Sequence, residues 1–173
     1  AVDGSWSLTI NETTGAYEFK QLTAYDHTGL PGGDSASVSI TLTDTDGSTA
    51  TPTLSLSIAD DVPSASDDLA GSTEGGSQIG GNVLSNDDLG ADNSNVGSAV
   101  VGITGFNGDG SVGGANVPGE WGTLTILADG TWTYTPNSSV PDGEVETFTY
   151  TIRDADGDEA QADIVITFSG DSG

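Results

Sequence analysis

Residues 148–157 read Phe148-Thr149-Tyr150-Thr151-Ile152-Arg153-Asp154-Ala155-Asp156-Gly157, and a second alternating run follows at Ile164, Ile166 and Phe168. Apolar residues at every second position are typical of a strand with one buried face. The D-x-D-G sequence between the two runs is typical of a tight turn. This segment therefore predicts a β-hairpin with an acidic turn.

The same unit occurs earlier in the chain, at residues 38–47 and 54–58. Its turn reads Thr43-Asp44-Thr45-Asp46-Gly47, and each apolar position of this copy meets an apolar position of the later copy at one constant offset. A preceding hairpin in residues 5–22 is also matched, by residues 124–134. Two copies of one strand order indicate tandem modules.

Pro63 marks the predicted boundary between these modules, because a proline cannot donate to a strand ladder and is common in linkers. Residues 62–173 then form one complete domain of ordinary size. Its strands are predicted at roughly 66–71, 79–84, 99–106, 122–127, 131–135, 146–153 and 161–168. Seven strands are the number expected of an immunoglobulin-like β-sandwich, so the chain is predicted to be all-β.

Residues 1–61 match only the second half of that sandwich. Three interpretations remain open: the chain starts inside a preceding domain, the domain is split around an inserted module, or the residues form a small complete sheet. Half of a sandwich would expose apolar edges, so another segment would have to complete it.

The charge of the chain limits its partners. It has 2 basic and 27 acidic residues, a formal net charge of −25, and no cysteine. Such a chain repels itself unless cations neutralise it, and it is a poor partner for nucleic acid or anionic lipid. No apolar run is long enough to predict membrane insertion. Aspartate, the dominant acid, suits oxygen sites for Ca²⁺, which could replace disulfides as the stabilising link.

The topology of such a sandwich would gather acids at one pole. The turn before the last strand, the end of the second strand and the start of the domain all lie there. The predicted Ca²⁺ ligands at this pole are Asp60, Asp61, Asp67, Asp68, Asp87, Asp88, Asp154, Asp156 and Asp158. Carboxylates this close repel one another, and a divalent ion converts the repulsion into coordination.

Asp44 and Asp46 form the earlier D-x-D-G turn and are expected to bind Ca²⁺ only when the other half of their domain is present. The alternative for both turns is purely structural. In that case the first aspartate bonds its own backbone and the glycine supplies a positive φ.

Three segments of the second domain carry a family resemblance: Gly81-Asn82-Val83-Leu84-Ser85-Asn86-Asp87, Asp129-Gly130-Thr131-Trp132-Thr133-Tyr134-Thr135-Pro136 and the unit at 148–157. In combination they closely resemble the bacterial cadherin-like repeats of giant secreted adhesins. Residues 1–61, with Tyr25-Asp26-His27 before the turn, look like the related repeats of type I secreted RTX adhesins. The resemblance implies a cadherin-like sandwich that acts as a Ca²⁺-dependent extender of a biofilm protein on the bacterial surface.

The leading functional hypothesis is thus a Ca²⁺-stabilised extender whose partners are neighbouring repeats of the same polypeptide. Cell-surface glycans or proteins would be bound through other domains. A second hypothesis is a carbohydrate or surface-ligand module that uses the Asn107–Trp121 loop. A third is a split scaffold that presents an inserted ligand-binding domain. His27 is the only histidine and no catalytic motif occurs, so the sequence predicts a protein that is not an enzyme.

Overall fold

The computed structural model describes residues 6–22, 34–72, 76–91 and 96–169. The chain divides into two compact units, Ala1–Asp61 and Val62–Gly173. Regular structure in the described residues is β-strand apart from two short 3₁₀ helices, Val83–Ser85 and Val96–Ser98. Neither of these, nor any other described segment, forms a helix with the length and apolarity to cross a membrane. The all-β prediction is confirmed.

The first unit consists of paired short strands. They are β1 (Trp6–Ile10), β2 (Tyr17–Gln21), β3 (Asp34–Ser39), β4 (Leu42–Thr43), β5 (Thr49–Ala50) and β6 (Thr53–Ile58). The antiparallel pairs are β1 with β2, β3 with β6 and β4 with β5. Among the side chains described in this unit, none is buried. The prediction that residues 1–61 are the second half of a sandwich stays a prediction.

Pro52 divides the hairpin of β3, β4, β5 and β6 into two ladders. Ile40 N–H donates to the Pro52 carbonyl at 2.9 Å. A proline has no N–H, so the return bond of this pair cannot form. The β3–β6 ladder therefore ends before this pair, and β4–β5 begins beyond it.

The second unit is a two-sheet sandwich. Its strands are β7 (Asp68–Ser72), β8 (Ile79–Asn82), β9 (Val100–Gly105), β10 (Gly108–Asp109), β11 (Val117–Pro118), β12 (Gly122–Ile126), β13 (Thr131–Pro136), β14 (Val145–Arg153) and β15 (Glu159–Phe168). One sheet has the order β10-β9-β14-β15-β7 and the other β11-β12-β13-β8. Strand β7 pairs parallel to β15, and the other pairs are antiparallel.

The seven longer strands lie at the predicted places, with ends that differ by a few residues. The segment Asn107–Trp121, interpreted from the sequence as a loop, also contains β10 and β11. Each is only two residues long and extends the edge of one sheet. Such short ladders leave little periodic signal in a sequence rich in glycine.

The core of the second unit lies between the two sheets. Phe148, Tyr150 and Ile152 of β14 are fully buried, as are Ile164 and Ile166 of β15. The facing sheet contributes the buried side chains of Leu124, Ile126, Trp132 and Tyr134. Each large apolar side chain removed from water contributes roughly 1.5–3 kcal/mol. This core fixes the ends of β14 and β15, and with them the acidic turn between the two strands.

Candidate metal centre

Asp154 closes the turn between β14 and β15. Its Oδ1 accepts the N–H groups of Gly157 at 3.0 Å and Asp158 at 2.8 Å. Its own N–H donates to the Asp158 carbonyl at 3.1 Å. Gly157 has a φ of 112°, a left-handed conformation that favours glycine. One carboxylate oxygen of Asp154 therefore has the purely structural role.

The second oxygen of Asp154 has a different environment. The residue is only 5% exposed, and its Oδ2 is buried without a hydrogen-bond partner among the described residues. Asp156 Oδ1 is also buried without a hydrogen-bond partner among the described residues. Ligand oxygens of Asp154, Asp156 and Asp158 lie within 4.8 Å of one another. Buried carboxylates without partners are strongly unfavourable, and a bound cation removes the penalty.

The burial of these carboxylates also changes the pKa of Asp154. Burial, and second the adjacent carboxylate of Asp156, raise the pKa of Asp154 to about 6 from 3.8. Both causes disfavour the ionised form. A hard cation favours that form, and three clustered carboxylates are the donors that Ca²⁺ prefers. The residues present therefore fit a Ca²⁺ ion.

A second acidic group surrounds the hydroxyl of Tyr150. This hydroxyl lies 3.0 Å from both oxygens of Asp87 and from the Ser66 carbonyl. Asp87 Oδ1 also accepts the Ser66 N–H at 2.8 Å. The end of the second strand thus meets the start of the domain, as the topology predicted.

Asp68 contributes an unpartnered oxygen to this region. Its Oδ2 is buried without a hydrogen-bond partner among the described residues. Burial, followed by the charge of Asp87, raises the pKa of Asp68 to about 6, and burial raises the pKa of Asp87 as well. Asp67 is engaged differently, because its Oδ1 accepts the Asp163 N–H at 3.0 Å and ties β7 to β15.

The other predicted ligands have less specific environments. Asp88 is exposed, and its Oδ1 accepts the Gly90 N–H at 3.0 Å. Asp60 is half-buried and Asp61 exposed, and both belong to the first unit.

Sequence reasoning counted Tyr150 only as a core residue. Its hydroxyl was the available signal, since a buried tyrosine needs a polar partner at its tip.

The earlier D-x-D-G turn has its carboxylates in solvent. Asp44 Oδ1 accepts the Asp46 N–H at 3.1 Å and the Thr45 hydroxyl at 3.0 Å, and Asp46 Oδ1 accepts the Ser48 N–H at 2.8 Å. The backbone bond from Asp46 lowers the pKa of Asp44, and bonds from Ser48 lower the pKa of Asp46. These exposed carboxylates are already stabilised by the turn itself.

The loop proposed as a ligand site is anchored to the core by Glu146. This buried carboxylate accepts the Tyr134 hydroxyl and the N–H groups of Glu120 and Trp121. The Trp121 ring is half-buried and packs against the core. It therefore does not form an exposed platform for sugar rings.

The fold and the acidic turn together define a cadherin-like β-sandwich module. Residues 60–170 match the family model of the bacterial cadherin-like domain. The chain belongs to this family, whose members are structural domains of extracellular proteins. No curated protein matches the chain.

Among solved structures, the chain is similar to the endo-fucoidan hydrolases MfFcnA4 and MfFcnA9 of glycoside hydrolase family 107. MfFcnA4 is 16% identical with a TM-score of 0.41, over 98% of this chain and 23% of that one. MfFcnA9 is 17% identical with a TM-score of 0.36, over 92% and 25%. The chain spans about a quarter of the length of either hydrolase.

The sequence-based prediction that the protein is not an enzyme is wrong as stated, because the similar solved chains are hydrolases. At these identities and TM-scores, the likeness assigns neither a substrate nor a catalytic residue to this chain.

Proposed function

We propose that this chain is a Ca²⁺-stabilised structural module of a large secreted bacterial surface adhesin. In this role it would help to extend a ligand-binding region away from the cell. The single observation that carries the proposal is the buried Asp154, whose Oδ2 has no hydrogen-bond partner among the described residues and lies within an acidic cluster. Membership of the bacterial cadherin-like family supports the structural and extracellular part of the role.

Asp154, Asp156 and Asp158 would hold the first ion. Ca²⁺ takes six to eight oxygen ligands, so backbone carbonyls and water would complete the set. Asp68 and Asp87, with Asp67 beside them, are the candidates for further coordination. The roles predicted for Asp60, Asp61, Asp88, Asp44 and Asp46 stay predictions.

The bound ion would act through linkage between binding and folding. An ion that binds only the folded module adds RT ln(1 + [L]/Kd), or roughly 2.7 kcal/mol at a hundredfold excess over Kd. A chain with a net charge of −25 also gains from any bound cation, because the ion reduces self-repulsion. Low cytoplasmic Ca²⁺ would leave the chain loosely folded for type I secretion, and external Ca²⁺ would then stabilise it.

The partners in this proposal are neighbouring repeats of the same polypeptide. Glycans or proteins on a target surface would be bound by other domains of the adhesin. The negative charge makes nucleic acid and anionic membranes unfavourable partners.

The test compares thermal melts of the full chain in about 5 mM EDTA, CaCl₂ or MgCl₂, with isothermal titration of Ca²⁺ into the metal-free chain. We expect Ca²⁺ to raise the midpoint by several degrees and Mg²⁺ to raise it much less. The clustered carboxylates offer many ligands without the strict octahedral geometry that Mg²⁺ requires. Equal midpoints in EDTA and CaCl₂, with no heat of binding, would reject the proposal.

A further inference from the structure

The four-stranded sheet of the second unit carries threonines in matched rows on its outer face. The register pairs Thr123 with Thr135 and Thr125 with Thr133. Directly paired residues of antiparallel strands project to the same side of a sheet. Leu124 and Tyr134 form the alternate pair and are fully buried, so the threonine rows face away from the core.

These threonines line a groove of about 340 Å³. Its remaining lining residues are Gln78, Asn116, Pro136 and Asn137. Gly80 of β8 pairs with Thr133, and a Cβ at this glycine would lie 2.5 Å from the Trp132 carbonyl oxygen. No side chain therefore stands beside Thr133 on that strand. The volume lies within the usual range of small-molecule sites, about 300–1,000 Å³.

Hydrogen bonds hold several of the hydroxyl groups that line the groove. The hydroxyls of Thr125 and Thr133 are 2.7 Å apart and bond each other. Gln78 Nε2 donates to the Thr135 hydroxyl at 3.2 Å. Each hydroxyl has one donor and two acceptor positions, so these bonds leave free capacity toward the groove. Three of the four threonine hydroxyls in the groove are thus held by hydrogen bonds.

Charge restricts what this array can bind. The chain has a net charge of −25, yet all eight lining residues are uncharged. The field of the protein repels anionic ligands, and no carboxylate lines the groove to bind a cationic one. A ligand that matches the lining is neutral and has many hydroxyl groups.

We propose that this groove binds a neutral oligosaccharide through its threonine hydroxyls and its asparagine and glutamine amides. The site is on the outer sheet face, the Trp121 ring is not part of its lining, and it requires no metal ion. Because these hydrogen bonds replace bonds to water, we expect dissociation constants on the order of 1 mM.

The test is a set of amide chemical-shift titrations on the ¹⁵N-labelled full chain in CaCl₂. The probes are cellotetraose, mannotetraose and maltotetraose, each up to about 20 mM, with trigalacturonate as the anionic probe. We expect at least one neutral probe to shift amides of β8, β12 and β13, and trigalacturonate to shift none of them.

A double variant identifies the groups responsible. Thr125→Val with Thr133→Val removes both partners of one hydrogen bond and keeps the side-chain shape, so folding should be nearly unaffected. We expect it to weaken neutral binding about tenfold or more. The control is Thr147→Val, an exposed threonine of β14 in the other sheet, which should bind as the unmodified chain does.

Three results would overturn the proposal: no neutral probe shifts the groove amides, the folded double variant binds as well as the unmodified chain, or trigalacturonate binds more tightly than every neutral probe. None of these results bears on the Ca²⁺ module, whose test is the metal-dependent melt.

Discussion

The two D-x-D-G turns have the same backbone pairing and opposite environments. Thr43 pairs with Thr49 in the first hairpin, and Arg153 pairs with Glu159 at the equivalent place in the second. The glycine φ angles are 92° and 112°. Yet Asp44 is exposed, whereas Asp154 is buried with an unpartnered oxygen. The motif specifies the turn, and its surroundings decide whether the carboxylates fit a metal.

The difference begins in the strand that precedes each turn. Ile152 is fully buried, whereas its counterpart Leu42 is 56% exposed. Alternation of apolar residues is the same in both copies, but a second sheet covers this face in the second unit. Where the strand ends are buried, the turn acids are drawn into a region of lower dielectric.

The largest expected effect tests this difference in burial. Phe148→Ala should destabilise the second unit by about 3–5 kcal/mol, because Phe148 is fully buried. Its counterpart change, Val38→Ala, should cost below about 1 kcal/mol, because Val38 is only half-buried. Urea unfolding followed by the amide resonances of each hairpin would measure both losses. Equal losses would mean that the two hairpins are packed alike.

The second prediction compares the metal affinity of the turns. Asp154→Asn with Asp156→Asn should remove most of the Ca²⁺-dependent stabilisation, roughly 2.7 kcal/mol at a hundredfold excess of the ion over Kd. The matched control, Asp44→Asn with Asp46→Asn, should retain it, because those carboxylates are satisfied by their own turn. Thermal melts with and without Ca²⁺ measure the effect. If the control pair loses the same stabilisation, the environment does not decide metal binding.

The third prediction concerns pH in the absence of metal. The pKa values of Asp154 and Asp68 are raised to about 6 from 3.8. Stability from the protonated groups is therefore fully present below about pH 3.8 and is lost as pH rises through about 6. In EDTA, the second unit should lose on the order of 1–3 kcal/mol between about pH 4 and 7.

Asp44 and Asp46 should act in the opposite direction. Their pKa values are lowered, so their contribution is present above the ordinary value and disappears as the pH falls through the lowered one. Melts in EDTA between about pH 2 and 7 would separate the two groups, because Asp44 and Asp46 titrate below 3.8 and Asp154 and Asp68 titrate near 6. Asp154→Asn with Asp68→Asn should flatten the loss between about pH 4 and 7. An unchanged pH profile in that variant would assign the loss to general repulsion among the carboxylates.

Sequence reasoning reached the strands most directly where buried residues alternate with less buried ones, as in β12, β13, β14 and β15. It also reached the Asp154 turn, because spacing alone places the acids after such a strand. It expected Asp44 and Asp46 to bind Ca²⁺ only when the other half of their domain is present. It could not show that Asp154 is buried, since burial depends on packing against a second sheet that the spacing of the motif does not describe. The threonine groove could not be predicted from the sequence either. Thr123, Thr125, Thr133 and Thr135 look like ordinary outward positions until the register places them side by side.

The smallest expected effect concerns the break at Pro52 in the hairpin of the first unit that contains the Asp44 turn. The residue of the β14–β15 hairpin that corresponds to Pro52 is Ala162, which pairs with Tyr150 in an unbroken ladder. Pro52→Ala supplies an N–H that can donate to the Ile40 carbonyl, worth about 0.5–1.5 kcal/mol. The added freedom of the unfolded chain offsets about 0.4–1 kcal/mol.

Stability should therefore change by less than about 1 kcal/mol, while the new amide at position 52 becomes protected from hydrogen exchange. Thr51→Ala, which adds no donor, is the control. Protection would show that one missing N–H divides the ladder. If the repaired hairpin instead gained Ca²⁺-dependent stability, continuity of the ladder, rather than the facing sheet, would be what makes a D-x-D-G turn a metal site.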